Sequence, residues 1–351
     1  MTAHVPRMIP KGRIDSFLES LGVPVAVPVA LNGTGDIDFR IMEKPVAATA
    51  ACAESYVNSA ISPLKFAYPQ TQVLWRFHTK PEIEVIPPAA PRELAIFGIR
   101  SCDVSAFRYL EHFFAREPKD DLFAATAAKI LLISVTCQEP DENCFCVCCD
   151  GGPFLDRKFD VQLTDLGDSY LFEIGSAKGE AAAATGERFL EPAPDGAIRK
   201  KEELHEATLR KFVVTSHMAT GIRKLTARKV PDALWRRMAA RCSECGGCAF
   251  VCPMCTCFDV SDQRETADSG RRERCWDCCQ YSGYSREASG YNPRDEKVSR
   301  FKRRFTHKLS YYYVQADGVH GCVGCGRCIQ ACFGKVDMPG VVNALRTETI
   351  V

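Results

Sequence analysis

Twice in this chain four cysteines follow one another with two, two and three residues between them. The first copy, CSECGGCAFVC, holds Cys242, Cys245, Cys248 and Cys252; the second, CVGCGRCIQAC, holds Cys322, Cys325, Cys328 and Cys332. This spacing is that of bacterial ferredoxins, whose thiolates bind [4Fe–4S] clusters. Three cysteines on a tight loop reach three irons, and the fourth, on the helical turn that follows, points towards the cluster of the other copy. The pairing therefore crosses over. Cys242, Cys245, Cys248 and Cys332 are expected at one cluster, and Cys252, Cys322, Cys325 and Cys328 at the other. Gly246, Gly247, Gly324 and Gly326 let the main chain wrap closely and aim N–H groups at sulfur. Structural zinc asks for separated C-x2-C pairs or for cysteine with histidine, so a zinc-stabilised binding module is the weaker alternative.

The other thiols sharpen the setting. The chain has 20 cysteines among 351 residues. The start, MTAHVPRMIPKGR, has basic residues but no apolar segment with a cleavage site, and VPVAVPVAL (Val23 to Leu31) is too short to span a bilayer. Many thiols without an export signal read as metal ligands in a reducing compartment, so a cytoplasmic protein of an oxygen-poor cell is expected. Cys137, Cys144, Cys146, Cys148 and Cys149 fall within thirteen residues. Buried structural cysteines rarely cluster in this way. A third iron–sulfur cluster is expected there, with Cys102, Cys137, Cys144 and Cys146 as ligands gathered at the ends of adjacent strands. Cys255, Cys257 and Cys279 are a competing set: they join that group, hold a cluster of their own or are structural thiols. Cys52, Cys148, Cys149, Cys275 and Cys278 receive no assignment.

The chain is long enough for two domains. ELAIFGI is a short apolar run, followed by a helical pattern in which Val104, Phe107, Leu110 and Phe114 recur and which Ser101 or Asp103 can cap. KILLISVTC (Lys129 to Cys137) reads as a second buried strand, and SYLFEIG (Ser169 to Gly175) as a third. Strand, helix and strand in this order suggest a βαβ unit. Ser176 to Lys201 is rich in alanine, glycine and small polar residues and marks a boundary. Beyond it a basic helical stretch leads, through Leu234, Trp235 and Met238, into Cys242. The expected fold is an α/β N-terminal domain (1–175) with a parallel or mixed sheet, a linker and helical segment (176–235), and a mainly helical, bacterial-ferredoxin-like dicluster domain (236–351).

Several stretches carry a more specific likeness. GCVGCGRC, RRFTHKLSYYY, CPMCTCFDV, WDCCQ and GYNPR resemble the C-terminal half of the iron–sulfur β subunits of cytoplasmic sulfhydrogenases. They resemble equally the electron-transfer A subunit of anaerobic sulfite reductase. GIRSCDVSAF, CFCVCC with the following GGP, and LTDLGDSYLFEIGS extend the likeness over most of the chain from about Arg92. The sequence departs at Phe333, where proline is usual, at Cys278, where serine is more frequent beside a matching Cys279, and in the additional Cys148 and Cys149. The resemblance implies a relay subunit. Its partners would be a FAD/[2Fe–2S]-type NAD(P)H oxidoreductase subunit and a catalytic subunit, either a [NiFe] hydrogenase or a siroheme sulfite reductase.

The residues themselves also read as a relay rather than a catalyst. There is no Walker loop and no G-x-G-x-x-G after a strand. A net charge of +1 argues against a dedicated nucleic-acid binder. His307 is the histidine in a suggestive setting, as a general acid or base or, more simply, as a structural residue. The basic KRRFTHK (Lys302 to Lys308) can dock an acidic partner, raise the potential of a nearby cluster or serve as a solvated helix face.

Overall fold

The computed structural model describes residues 6–31, 35–42, 56–315 and 318–349. Cys52 lies outside them. The chain forms two compact units. One comprises Met1–Pro63, Arg92–Val214 and Val323–Gly326, and the other Leu64–Pro91, Thr215–Cys322 and Arg327–Val351. Neither is one continuous stretch, as the segments 1–175, 176–235 and 236–351 are.

In chain order the strands are β1 (Arg7–Pro10), β2 (Val25–Ala30), β3 (Ile37–Met42), β4 (Thr71–His78), β5 (Glu84–Ile86) and β6 (Leu94–Ile99). Then come β7 (Ile130–Val135), β8 (Val161–Asp165), β9 (Ser169–Ile174), β10 (Glu191–Pro192), β11 (Phe258–Arg264) and β12 (Ser269–Trp276).

The first unit is built on a mixed sheet of order β10-β1-β9-β8-β7-β6-β2-β3. Its centre is parallel, since β2 pairs with β6, β6 with β7 and β7 with β8 in that sense. The flanking pairs are antiparallel. Every residue of β6 is buried, the condition of a parallel strand covered on both faces, which is why it reads as a continuous apolar run. Between β6 and β7 run helices α2 (Ser101–Phe114) and α3 (Asp121–Ala128), after α1 (Ile14–Ser20) near the start. Val104, Phe107, Leu110 and Phe114 are buried on α2, as their spacing requires. Its cap differs from expectation. Arg100 is the N-cap and makes no side-chain cap, because Ser101 Oγ donates instead to Pro153 O at 2.5 Å and Asp103 accepts from Ser62 Oγ at 2.7 Å. The low-complexity stretch after β9 contains α4 (Ala177–Thr185), capped by Ser176, and α5 (Ala197–Leu209). Ile9, Phe17, Val25, Phe97, Ile133, Leu163 and Tyr170 lie in the main core.

The second unit is helical only in part. It has an antiparallel sheet of order β11-β12-β4-β5, which the helical expectation did not contain. Its helices are α6 (Met218–Thr226), α7 (Asp232–Ala240), α8 (Gly247–Phe250), α9 (Lys297–Phe305), which runs on through a π-helical turn at Thr306–Tyr311 into a last helical turn at Tyr312–Gln315, α10 (Arg327–Gln330) and α11 (Met338–Thr347). Trp235 of α7 is fully buried against Phe301 of α9, with ring centroids 6.2 Å apart. Among the described residues no helix is long and apolar enough to cross a membrane.

Candidate metal centres

Burial of Leu234, Trp235 and Met238 anchors α7, whose end hands the chain to Cys242. The loop that follows turns through positive φ at Glu244 and Gly246. It is clamped from α9, where buried Arg300 donates to Glu244 Oε1 from Nε at 3.0 Å and from Nη2 at 2.6 Å. Cys242, Cys245, Cys248 and Cys332 line one cavity, walled by Phe301, Phe305 and Val336 and bordered by Arg304. Three of these thiols come from the first motif and one from the second. Main-chain N–H groups point at sulfur here: Glu244 N lies 3.4 Å from Cys242 Sγ, and Val336 N lies 3.3 Å from Cys332 Sγ. Burial raises the thiol pKa of Cys242 and Cys248, whereas the Gly247 N–H holds that of exposed Cys245 below the ordinary range. Four thiols around an apolar-walled cavity, with N–H donors to sulfur, suit the donor chemistry of an iron–sulfur cluster. Phe333, in the place usually taken by proline, is 93% exposed.

The remaining motif cysteines have different surroundings. Cys252 Sγ receives a hydrogen bond from Lys308 Nζ at 3.3 Å, and the same ammonium donates to Gly321 O at 3.0 Å. Burial acts to discharge Lys308, but the negative charge of Cys252 and Cys255 outweighs it and keeps the ammonium protonated. Cys322 adds to this in the same direction. Cys328 sits on α10. Cys325 belongs to the stretch Val323–Gly326 of the first unit, where Asn58 Nδ2 donates to its carbonyl at 2.7 Å.

In the first unit the N-terminal thiols collect at the carboxyl ends of the parallel strands, the edge where open α/β sheets place ligands. Cys102 is the second residue of α2, just past β6, and Cys137 lies two residues past β7. Cys137 N donates to Pro153 O at 3.3 Å, closing the loop that holds Cys144 and Cys146. Burial pushes the Cys144 thiol up to about 12, and the charge of Cys137 adds to it. Burial and the charges of Cys144 and Cys137 likewise raise Cys146. Cys325 contributes in the same direction to both, so it too stands near this group. Gly324 and Gly326 owe their identity to this loop. At φ +67° a Cβ on Gly324 would stand 2.5 Å from Phe145 O, and at φ +79° one on Gly326 would stand 2.7 Å from Asn143 O. Among the described residues no three His, Cys, Asp or Glu side chains converge as for a single metal ion. A cubane does not require that convergence, because its four thiolates attach to different irons.

Residues 241–336 match the 4Fe–4S dicluster domain family. The chain carries a 4Fe–4S dicluster domain. It is also similar to the sulfhydrogenase 2 subunit beta of Pyrococcus furiosus, 26% identical over 295 residues that cover 84% of this chain and 86% of the relative. The resemblance to iron–sulfur β subunits thus extends well beyond the dicluster. No solved structure matches the chain.

Outside the dicluster ligands, sequence reasoning left Cys255, Cys257 and Cys279 open, and the fold explains their proximity. Cys257 immediately precedes β11 and Cys279 lies three residues after β12, so the hairpin brings its two ends together. Asp277 N donates to Cys257 O at 3.0 Å, and the Cys257 and Cys279 thiols stand close enough to shift each other's ionisation. Cys255 lies 3.6 Å from Arg304 Nη1, and the neighbouring Cys252 thiol helps hold its own pKa down. The readable signal was the strand pairing around the TADSG turn rather than any cysteine spacing. Cys278 is fully buried, and Cys275 Sγ lies 3.6 Å from Thr71 Oγ1.

The basic segment is not a single surface. Lys302 is about half exposed and 3.4 Å from Asp232, and Arg303 lies over the Tyr311 ring at 5.2 Å. Arg304 and Lys308 are buried instead. His307 packs against Tyr312, ring centroids 4.2 Å apart. Burial, then the charges of Arg303, Lys308, Arg294 and Arg304, push its pKa down to about 3. Its imidazole is therefore neutral at physiological pH and is not poised for general acid–base work.

Proposed function

We propose that the chain is the electron-transfer subunit of a multi-subunit oxidoreductase. In this reading single electrons pass between a flavin-containing NAD(P)H-oxidoreductase subunit of FAD/[2Fe–2S] type and a catalytic subunit such as a [NiFe] hydrogenase. A dicluster domain within a longer likeness to a sulfhydrogenase β subunit supports the relay. The single structural observation that carries it is the cavity lined by Cys242, Cys245, Cys248 and Cys332, a set that no one motif supplies.

The ligand sets follow the crossed pairing. Cys242, Cys245, Cys248 and Cys332 hold one [4Fe–4S] cluster, and Cys252, Cys322, Cys325 and Cys328 the other. A third cluster takes Cys102, Cys137, Cys144 and Cys146. Such clusters accept and return one electron at a time at a potential set by charge, hydrogen bonds to sulfur and solvent exposure. The protein's part is to supply thiolates, aim the Glu244 and Val336 N–H groups at sulfur, and wall the first site with Phe301 and Phe305. A cytoplasmic location belongs to the same proposal and rests on the number of thiols.

The test is purification of the tagged native complex without oxygen, followed by identification of the attached subunits and metals. Nickel in a catalytic subunit, a flavin subunit and NAD(P)H-dependent reduction of the chain are expected. A siroheme subunit would move the same relay to sulfite reduction. A chain purified alone that turns over a substrate by itself would overturn the relay.

A further inference from the structure

Arg300, Arg304 and Lys308 recur at intervals of four, and all three are buried. Arg300 has a carboxylate partner, Glu244. Arg304 and Lys308 face sulfur and main-chain oxygen instead. Arg304 Nη2 donates to Cys248 O at 2.6 Å and its Nη1 lies 3.6 Å from Cys255 Sγ. Lys308 Nζ is held between Cys252 Sγ at 3.3 Å and Gly321 O at 3.0 Å. Gly321 N returns a hydrogen bond to Lys308 O at 2.7 Å, which fixes the segment in place. A buried cation is costly unless negative charge stands beside it. Here that charge belongs to cysteines: Lys308 touches the Cys252 thiol, whereas Arg304 borders the cavity of the first ligand set, touches the Cys248 main chain and the Cys255 thiol, and is held charged first by the Cys248 thiolate.

We propose that Arg304 and Lys308 are paired positioning charges, each raising the reduction potential of the cluster whose cysteine it touches. This inference rests on the iron–sulfur reading of the two motifs. Reduction adds one negative charge to a cluster already held by four thiolates. A fixed cation in low-dielectric surroundings stabilises the reduced form more than the oxidised form. One helical segment thereby sets the driving force at two successive sites, while Lys302 and Arg303 remain outside that task.

The experiment is an anaerobic potentiometric EPR titration of the full chain, with iron and sulfide measured on every sample. Lys308→Met and Lys308→Gln remove the charge, and Lys308→Arg keeps it; Arg304→Gln and Arg304→Lys form the matching pair. At full iron content, each neutral variant is expected to shift one cluster to a more negative potential, a different cluster for each position. Each charge-keeping variant should stay near wild type. Iron loss in both neutral Lys308 variants with retention in Lys308→Arg also supports a requirement for charge. Unchanged potentials, or equal shifts in neutral and charge-keeping variants, overturn the proposal, as does iron loss in all three Lys308 variants. Wild-type protein without iron or a reducible signal would sink the iron–sulfur reading itself, whatever the variants do.

Discussion

The main-chain N–H of Phe145 donates to the carbonyl oxygen of Gly324 at 2.8 Å. The loop carrying Cys144 and Cys146 is thus knitted by its backbone to the centre of the second cysteine motif. No side chain larger than hydrogen fits at Gly324, because a Cβ would meet Phe145 O at 2.5 Å.

Gly324→Ala should therefore cost about 3 kcal/mol, combining a positive φ with a backbone clash. Gly247→Ala is the control: its Cβ would find its nearest neighbour, Ala331 O, at 3.6 Å, and it should stay within about 0.5 kcal/mol of wild type. Thermal melting under anaerobic conditions compares them. Equal losses would show that the approach of the two loops does not constrain the chain.

The crossed pairing makes a prediction that sequence proximity does not. Cys332→Ala and Cys242→Ala should remove the same EPR signal, although the two residues belong to different motifs. Cys252→Ala and Cys322→Ala should remove the other. Loss of the same signal from Cys332→Ala and Cys322→Ala would mean that each motif holds its own cluster.

His307 should give the fold a specific acid sensitivity. Its pKa is lowered to about 3 by burial and neighbouring cations, while in the unfolded chain it lies near about 6.5. The unfolded state then binds the extra proton between these values. Stability contributed by neutral His307 is present above the unfolded pKa and is lost as pH falls towards the folded one. From pH 7 to pH 5 the loss should be about 2 kcal/mol. His307→Gln should remove that component of the pH dependence of melting; an identical slope in both proteins would contradict the assignment.

Some of this was legible in the sequence and some was not, for physical reasons. β6 and the buried face of α2 were readable because complete burial leaves an apolar run and a helical period. The cap of α2 was misread, since Ser101 and Asp103 bond to partners far away in sequence, Pro153 and Ser62. The β11/β12 hairpin was missed because its strands are charged. Arg272 of β12 forks onto Asp262 at 2.7 and 2.6 Å and covers the Trp75 ring at 5.1 Å, so the polar residues mark cross-strand pairs rather than a loop. The KRRFTHK stretch looked like one patch, whereas the interval of four separates buried Arg304 and Lys308 from Lys302. The cysteine spacing pointed to the four thiols of the first cavity; it was silent about Cys257 and Cys279, which only strand pairing brings together.

The central claim is tested most directly by iron and acid-labile sulfide per chain in protein purified without oxygen, read with the EPR spectrum before and after chemical reduction. The account predicts about twelve irons with matching sulfide, the sum for three four-iron clusters, and signals that appear on reduction. About eight would remove the N-terminal cluster and leave the dicluster relay. Zinc in place of iron, with no signal on reduction, would contradict the account.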